Sequence, residues 1–508
     1  MKFILLLTLV LSSSAVFSQK IRFNIDGQQD TTVHLVRYHG AKLYYADTAE
    51  IKKGIVEFNG IKHKPGIFAL FLPGQKMMDF IYNNEEIYIE SEREDLVGKS
   101  IVKKSEENKL FLGYVKFISS ERQKAIKLSE QRKEFDVESD QYKTITSNID
   151  KTTENVTDYQ NNLIINNPNK LVSKIVKMSM DVEIPEAPKG EAGNIIDSNF
   201  KFNYYRAHYF DNIDFTDDRL VRTPVFANKL ENYFSKNMMI QHWDTVLYYA
   251  FKLCDQFDPK SEVYQYAISW ITSSYEQSKI MGMDKVFVMM GERYYCALDE
   301  TGKPKAHWMP TDKLATLCEK VETQKRLVMG AQAPNIILRD TTDVNWVNLY
   351  NVDAEYTILY FWDPECGHCK TITPKLQTLY ENKFKERNVE IFAVGKAIDK
   401  DFEKWKAFIR KYNMQFINVA VTNALYKAAL EDARMFVPKY TTIESLNYQQ
   451  TYDIFSTPKV FVLDKDKKII AKSLTISQLE DMLDRLQGVK NAEKLFPPED
   501  EVEDEQMH

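Results

Sequence analysis

An unbroken β-branched and aromatic run, Thr357-Ile358-Leu359-Tyr360-Phe361-Trp362, leads within four residues to Cys366-Gly367-His368-Cys369, and the residues after Cys369 read as a helix. A run of this type is a strand buried on both faces. The chain is thereby committed to placing two thiols where a strand hands over to a helix N-terminus. With five cysteines in the chain, chance alone sets two of them three residues apart about one time in twenty. The strand before and the helix after make the pair informative. Unpaired amides and the positive dipole end of a helix favour a thiolate over a thiol. Cys366 is therefore the expected nucleophile. Cys369, one turn further in, is the expected resolving thiol, which displaces whatever Cys366 has captured. Gly367 and His368 complete the candidate catalytic set. A protonated imidazole beside a thiolate stabilises the reduced form, so His368 is expected to make the pair a stronger oxidant.

At 508 residues the chain exceeds what one core supports. Residues 1–18 carry Lys2, an apolar run over 3–11, and then Ser12, Ser13, Ser14 and Ala15. This is the pattern of a secretory signal peptide, with cleavage expected after Ser18. A retained signal acting as a single-pass anchor is the alternative. No cysteine follows the apolar run to carry a lipid, and no other segment reaches about 18 uninterrupted apolar residues. The expectation is a periplasmic or otherwise exported protein without a transmembrane segment in its mature chain, in a compartment where disulfides form.

Residues 19–98 read as a small antiparallel β domain, with strand-like runs over 32–38, 55–58, 67–72 and 86–90 separated by glycines. His34, His39 and His63 lack metal-ligand spacing and read as packed or solvated. Residues 99–326 read as an all-helical domain: Leu110, Tyr114, Phe117 and Ile118 share one helical face, and Val263, Ala267, Trp270 and Ile271 another. From Asn203 to Asp214, aromatics interleave with Arg and Asp. That stretch suits a polar binding surface, an interface with a neighbouring domain, or buried aromatics with paired charges bridging two helices. Cys254, Cys296 and Cys318 fall in this domain, and a disulfide between two of them and buried thiols are both compatible with the sequence.

Residues 327–489 alternate strands and helices and close on an antiparallel hairpin, the pattern of an α/β sandwich. Within them, 422–450 reads as a partly helical insertion. Residues 490–508 form an acidic run expected to be a disordered tail. Net charge is −6, from 67 basic and 73 acidic side chains spread along the sequence, which argues against nucleic acid as a partner.

The last domain has Gly330-Ala331-Gln332-Ala333-Pro334 at its entry, Tyr360-Phe361-Trp362 before the dithiol, Pro374 beyond Cys369, and Thr457-Pro458 before a further strand. On these residues it resembles the thioredoxin fold, in its exported branch of TlpA and ResA-like thiol-disulfide oxidoreductases of Bacteroidetes type. The resemblance implies disulfide exchange with protein thiols and disulfides through a redox-active Cys366-Cys369 pair, no cofactor, no metal, and a membrane electron donor as a candidate partner. It also implies a cis Thr457-Pro458 bond, with Trp362, Thr457 and Pro458 at the substrate. The upstream β and helical domains are similar to modules of uncharacterised role that precede thioredoxin domains in exported proteins.

Two departures bear on the chemistry. Where thioredoxin has a buried Asp that moves the resolving thiol's proton, this chain has Tyr360, and where ResA-like proteins have a Glu, it has Ile372. Water, Asp363 and Glu365 are then the candidates for that task. His368 replaces the Pro of the reductive Cys-Gly-Pro-Cys type, so the direction of electron flow stays open. A pair of this kind is expected at about −180 to −230 mV, against roughly −270 mV for thioredoxin. The alternative function is a partner-binding scaffold with a docked thioredoxin-like module. Zinc binding by Cys366, His368 and Cys369 is disfavoured because adjacent residues on one turn cannot all face a tetrahedral ion. Peroxidase chemistry is disfavoured because a Pro-x-x-x-Thr-x-x-Cys pattern is absent around Cys366.

Overall fold

The structure is a computed structural model that describes residues 19–190, 196–399, 401–490 and 493–496. The expected signal peptide and most of the expected acidic tail lie outside the described residues. The chain forms two compact units. One holds the described residues up to Ile240 with Phe251–Ala267, the other Gln241–Ala250 with those from Ile268 onward.

The first unit opens with two four-stranded sheets. One has the order Ile55–Asn59, Lys20–Asp26, Ile87–Glu92, Ile101–Lys104, the other Lys42–Ile51, Thr31–His39, Gly66–Leu72, Lys76–Tyr82. Strict alternation drives the first: Ile21, Phe23 and Ile25 are fully buried, with Arg22 and Asn24 between them facing out. The expected all-antiparallel arrangement needs one correction, since Lys20–Asp26 pairs parallel with Ile87–Glu92. Alternation marks a strand but not its direction, and the intervening chain builds the second sheet before returning. Strand Ile101–Lys104 also extends this sheet past residue 98. At the turn after His39, Gly40 has φ +57°, and a Cβ there would sit 1.7 Å from the Tyr266 hydroxyl. Both facts require glycine.

The long helices Glu106–Arg132 and Asp140–Asn166 then form a hairpin, capped by the Ser105 and Ser139 hydroxyls. Of the first helix, Phe111 and Leu112 are buried and the expected face is half-buried. The aromatic stretch forms helix Phe200–His208, none of whose residues is buried. The Tyr205 hydroxyl donates to Asp181 at 2.8 Å and His208 pairs with Asp211 at 2.7 Å, while Tyr209 is buried against Tyr233. Charges there are paired, but of Tyr204, Tyr205, Tyr209 and Phe210 only Tyr209 is buried. A cleft of about 540 Å³ opens beside Tyr205, Tyr209 and Lys229. Cys254 remains a buried thiol in this unit.

In the second unit a disulfide joins Cys296 and Cys318. Beyond it lies a seven-stranded sheet with the order Trp346–Asn348, Ile337–Asp340, Ile417–Ala420, Val389–Gly395, Tyr356–Trp362, Lys459–Leu463, Ile469–Lys472. The central strand Tyr356–Trp362 pairs parallel with Val389–Gly395 and antiparallel with Lys459–Leu463. Its side chains feed two cores. Ile358, Tyr360 and Trp362 face one, under helices Gly367–Leu379 and Ile476–Leu486; Leu359 and Phe361 face the other. That is why the run has no polar alternate. The insertion forms helices Asn423–Asp432, Ile443–Leu446 and Tyr448–Thr451 and covers the second core, where Tyr448 stacks on Phe361 with ring centroids 5.8 Å apart. The architecture is thus multidomain: β sheets, a helical middle region, and a C-terminal α/β thioredoxin-like domain.

Candidate active site

Cys366 is the N-cap of helix Gly367–Leu379, and its sulfur accepts the Cys369 N–H at 3.4 Å. From the other side the Cys366 thiol donates to the Thr457 carbonyl oxygen at 3.0 Å. The Thr457-Pro458 bond is cis, as the resemblance implies. Cys366 is partly exposed and Cys369 fully buried. Burial by itself would raise the Cys366 pKa. The Cys369 N–H and thiol, Thr457 and the His368 N–H outweigh it and hold Cys366 below the ordinary thiol value. For Cys369, burial dominates and the neighbouring Cys366 adds to it, so its pKa is pushed up to about 12 despite the Asp363 N–H and Thr457. One thiol is primed and the other held protonated.

Of the other expected residues, His368 and Gly367 are exposed. His368 acts on Cys366 through its main-chain N–H. A Cβ on Gly367 would meet nothing within 4 Å. Trp362 is 1% exposed, its ring packed on Phe408 at 4.6 Å. Neighbouring Gly395 leaves the room for this, since a Cβ there would lie 2.2 Å from Trp405 Nε1 and 3.1 Å from the Trp362 ring. Trp362 underlies a cleft of about 180 Å³, whose walls include Asp363, Lys396, Tyr448, Phe455 and Thr457.

The two carboxylates considered for proton transfer are engaged elsewhere. Lys396 bridges Asp363 and Asp401, each at 3.3 Å, and Lys404 pairs with Glu365 at 2.7 Å. Asp363 reaches Cys369 through its main-chain N–H. Among the described residues no group of three or more His, Cys, Asp or Glu side chains is placed to hold a metal ion. No helix among them is long and apolar enough to cross a membrane.

Sequence reasoning did not find Lys396, Tyr448 or Phe455. Lys396 was within reach: the parallel strands align Trp362 with Gly395, so the next residues, Asp363 and Lys396, emerge side by side. Phe455, 86% exposed, precedes Thr457 by two residues and could have been noted as an apolar side chain beside the dithiol. Nothing in the sequence points to Tyr448, which arrives through the fold of the insertion.

Three family profiles match the chain: the AhpC/TSA family over residues 329–472, and two domains of unknown function, DUF4369 over 20–111 and DUF5106 over 139–322. No curated protein matches it. Among solved structures, a domain of a possible thiol-disulfide isomerase from Cytophaga hutchinsonii is 34% identical, covering 32% of this chain and 94% of its own, with a TM-score of 0.25. The thioredoxin domain of a thiol-disulfide oxidoreductase from Bacteroides vulgatus is 24% identical, covering 31% and 97%, with a TM-score of 0.25. A thioredoxin-like protein from Bacteroides caccae is 16% identical, covering 59% and 97%, with a TM-score of 0.42.

Proposed function

Since its residues 329–472 form a thioredoxin-like domain of the AhpC/TSA family, we propose that the chain is an exported thiol-disulfide oxidoreductase that exchanges disulfides with protein substrates through Cys366 and Cys369. The observation that carries this reading is the asymmetry of the two thiols: a partly exposed sulfur at a helix N-terminus, 3.0 Å from the Thr457 carbonyl, backed by a buried partner held protonated up to about 12.

In the reducing direction, the Cys366 thiolate attacks one sulfur of a substrate disulfide. The bond between the substrate sulfurs breaks, and the departing sulfur leaves as a thiolate that takes up a proton. Cys369 then loses its proton and attacks Cys366 Sγ, and the second substrate sulfur departs as a thiol. The substrate gains two electrons and the pair becomes a disulfide, which a donor, proposed to be membrane-borne, must reduce again. Run backward, the same atoms oxidise a substrate dithiol. The Thr457 main chain and Pro458 form the edge against which an extended substrate segment docks, above Trp362. Disulfides rather than peroxides are the proposed electrophile, because the peroxide-reactive pattern is absent around Cys366.

The test is to replace Cys369 with Ala in the full chain and isolate proteins covalently trapped on Cys366. Substrate proteins released by reductant support the reading. If none is trapped, and Cys366→Ser leaves the cellular phenotype intact, the chain acts as a scaffold. The redox state of the pair in cells sets the direction: a mostly reduced pair means a reductase fed by a donor, a mostly oxidised one an oxidase.

A further inference from the structure

The aromatic stretch from Asn203 to Asp214, which disulfide exchange leaves unused, borders the cleft of about 540 Å³ in the first unit. That volume falls in the range of about 300–1,000 Å³ usual for small-ligand sites. One wall is a face of helix Pro224–Tyr233, on which Val225, Asn228, Lys229 and Asn232 stand at i, i+3, i+4 and i+7. Asp181, Tyr205 and Tyr209 contribute to the walls across from it. Lys229 is the unusual member, a charged residue only 8% exposed that nonetheless lines a cleft. Its ammonium donates to the Met180 carbonyl oxygen at 3.2 Å and lies 4.6 Å from the centre of the Tyr209 ring. The Asp181 carboxylate is 3.9 Å away, beyond hydrogen-bond reach, and already accepts the Tyr205 hydroxyl at 2.8 Å. An ammonium has three hydrogens to donate, and Met180 takes one. Burial accordingly lowers the Lys229 pKa, with Asp181 opposing the shift. A buried charge so sparsely partnered costs stability unless a further group supplies what is missing.

We propose that this cleft binds a short peptide with free ends, its carboxylate meeting the Lys229 ammonium and its amino group the Asp181 carboxylate. The carboxamides of Asn228 and Asn232 each offer donors and an acceptor in one plane, the complement of peptide N–H and C=O groups. Opposite charges 3.9 Å apart suit a ligand that carries both signs. A phosphate would gain from Lys229 and be repelled by Asp181. A neutral sugar would leave Lys229 as short of countercharge as before. Val225 and Met238 are the aliphatic walls, too few to hold a lipid chain. The site lies in the first unit and the dithiol in the second, so this binding function is separate from the exchange chemistry.

The probe is a random tripeptide library lacking cysteine, supplied with free ends, with an amidated C-terminus, with an acetylated N-terminus, or with both ends blocked. Equilibrium dialysis against the full chain, with mass detection of retained peptides, measures binding. The parent should hold free-ended peptides about tenfold more tightly than amidated ones. Lys229→Met keeps the apolar stem and removes the charge. It should abolish that tenfold preference while melting no lower than the parent, a combination that a purely structural lysine would not give. Asp181→Asn, at a largely exposed side chain, should abolish the preference for a free over an acetylated N-terminus. Cys366→Ser should bind as the parent does, so failure here and failure of the oxidoreductase reading are told apart. Equal retention of free-ended and doubly blocked peptides, no retention of any, or capture of maltotriose in their place overturns the inference.

Discussion

The thiol of Cys366 donates to the main-chain oxygen of Thr457 across a sequence separation of 91 residues. This contact ties the helix N-terminus to the loop before strand Lys459–Leu463. It brings the sulfur that would attack next to the edge that would hold the substrate.

The two thiols should differ sharply toward an alkylating agent. At neutral pH iodoacetamide should label Cys366 and spare Cys369, and the labelling rate should rise through a midpoint below the ordinary thiol value of 9.0. Cys369, pushed to about 12, should stay unmodified until the chain is unfolded. Peptide mass mapping across a pH series checks both. A Cys366 midpoint at or above 9.0 would contradict the helix-terminal stabilisation.

Phe455 leaves 86% of its surface exposed at the wall of the cleft beside Thr457. An apolar side chain so placed is expected to contact the substrate polypeptide. Phe455→Ala should weaken turnover of a protein disulfide by several-fold, mostly in KM, at a cost of about 1 kcal/mol. Reaction with a small disulfide should be unchanged.

Two glycines near the site should respond unequally. Gly395→Ala puts a methyl group 2.2 Å from Trp405 Nε1 and should cost about 1–3 kcal/mol through displacement of the Trp362 and Trp405 rings. Gly367→Ala meets nothing within 4 Å and should change stability by less than about 0.5 kcal/mol. Thermal melting of the two variants checks the contrast.

The Cys296–Cys318 disulfide closes a sequence separation of 22 residues. Replacing both cysteines with Ser should destabilise the second unit by about 3 kcal/mol, chiefly through the unfolded chain. The parent protein should show the same loss on reduction by dithiothreitol, and the double variant should be insensitive to it. Calorimetry with and without reductant is the measurement.

In the β domain, burial raises Asp79 from 3.8 to about 6, opposed by a hydrogen bond from the Tyr38 hydroxyl. The folded state holds this proton more tightly than the unfolded one. Its stabilising effect is therefore complete below about pH 4 and is lost as pH rises through about 6. Asp79→Asn should raise stability by about 1 kcal/mol at about pH 8 and leave it nearly unchanged at about pH 4. Melting curves at the two pH values test the sign.

Local pattern carried a good deal of this molecule. The run from Thr357 to Trp362 announced a strand buried on both faces because each face meets its own core, and the spacing of Cys366 and Cys369 placed both on the first turn of the next helix. The parallel pairing of Lys20–Asp26 with Ile87–Glu92 was illegible, since a strand's periodicity is the same whichever way its neighbour runs. Cys254, Cys296 and Cys318 were interchangeable on paper; only the approach of helix Thr311–Lys325 to Cys296 selected the pair.

The sequence by itself marked the candidates for chemistry: two thiols at the start of one helix, an imidazole between them and, through the resemblance, a Thr-Pro step expected opposite. Helix geometry and residue type are local properties, and short-range rules reach them. Tertiary structure alone decided what surrounds each sulfur. The Thr457 oxygen at Cys366, the diversion of Asp363 to Lys396, and the hydrogen bond between the Tyr360 and Thr373 hydroxyls join segments that become neighbours only once the sheet has closed. Burial and donor geometry, which fix the acidity of a thiol, are properties of that closed arrangement.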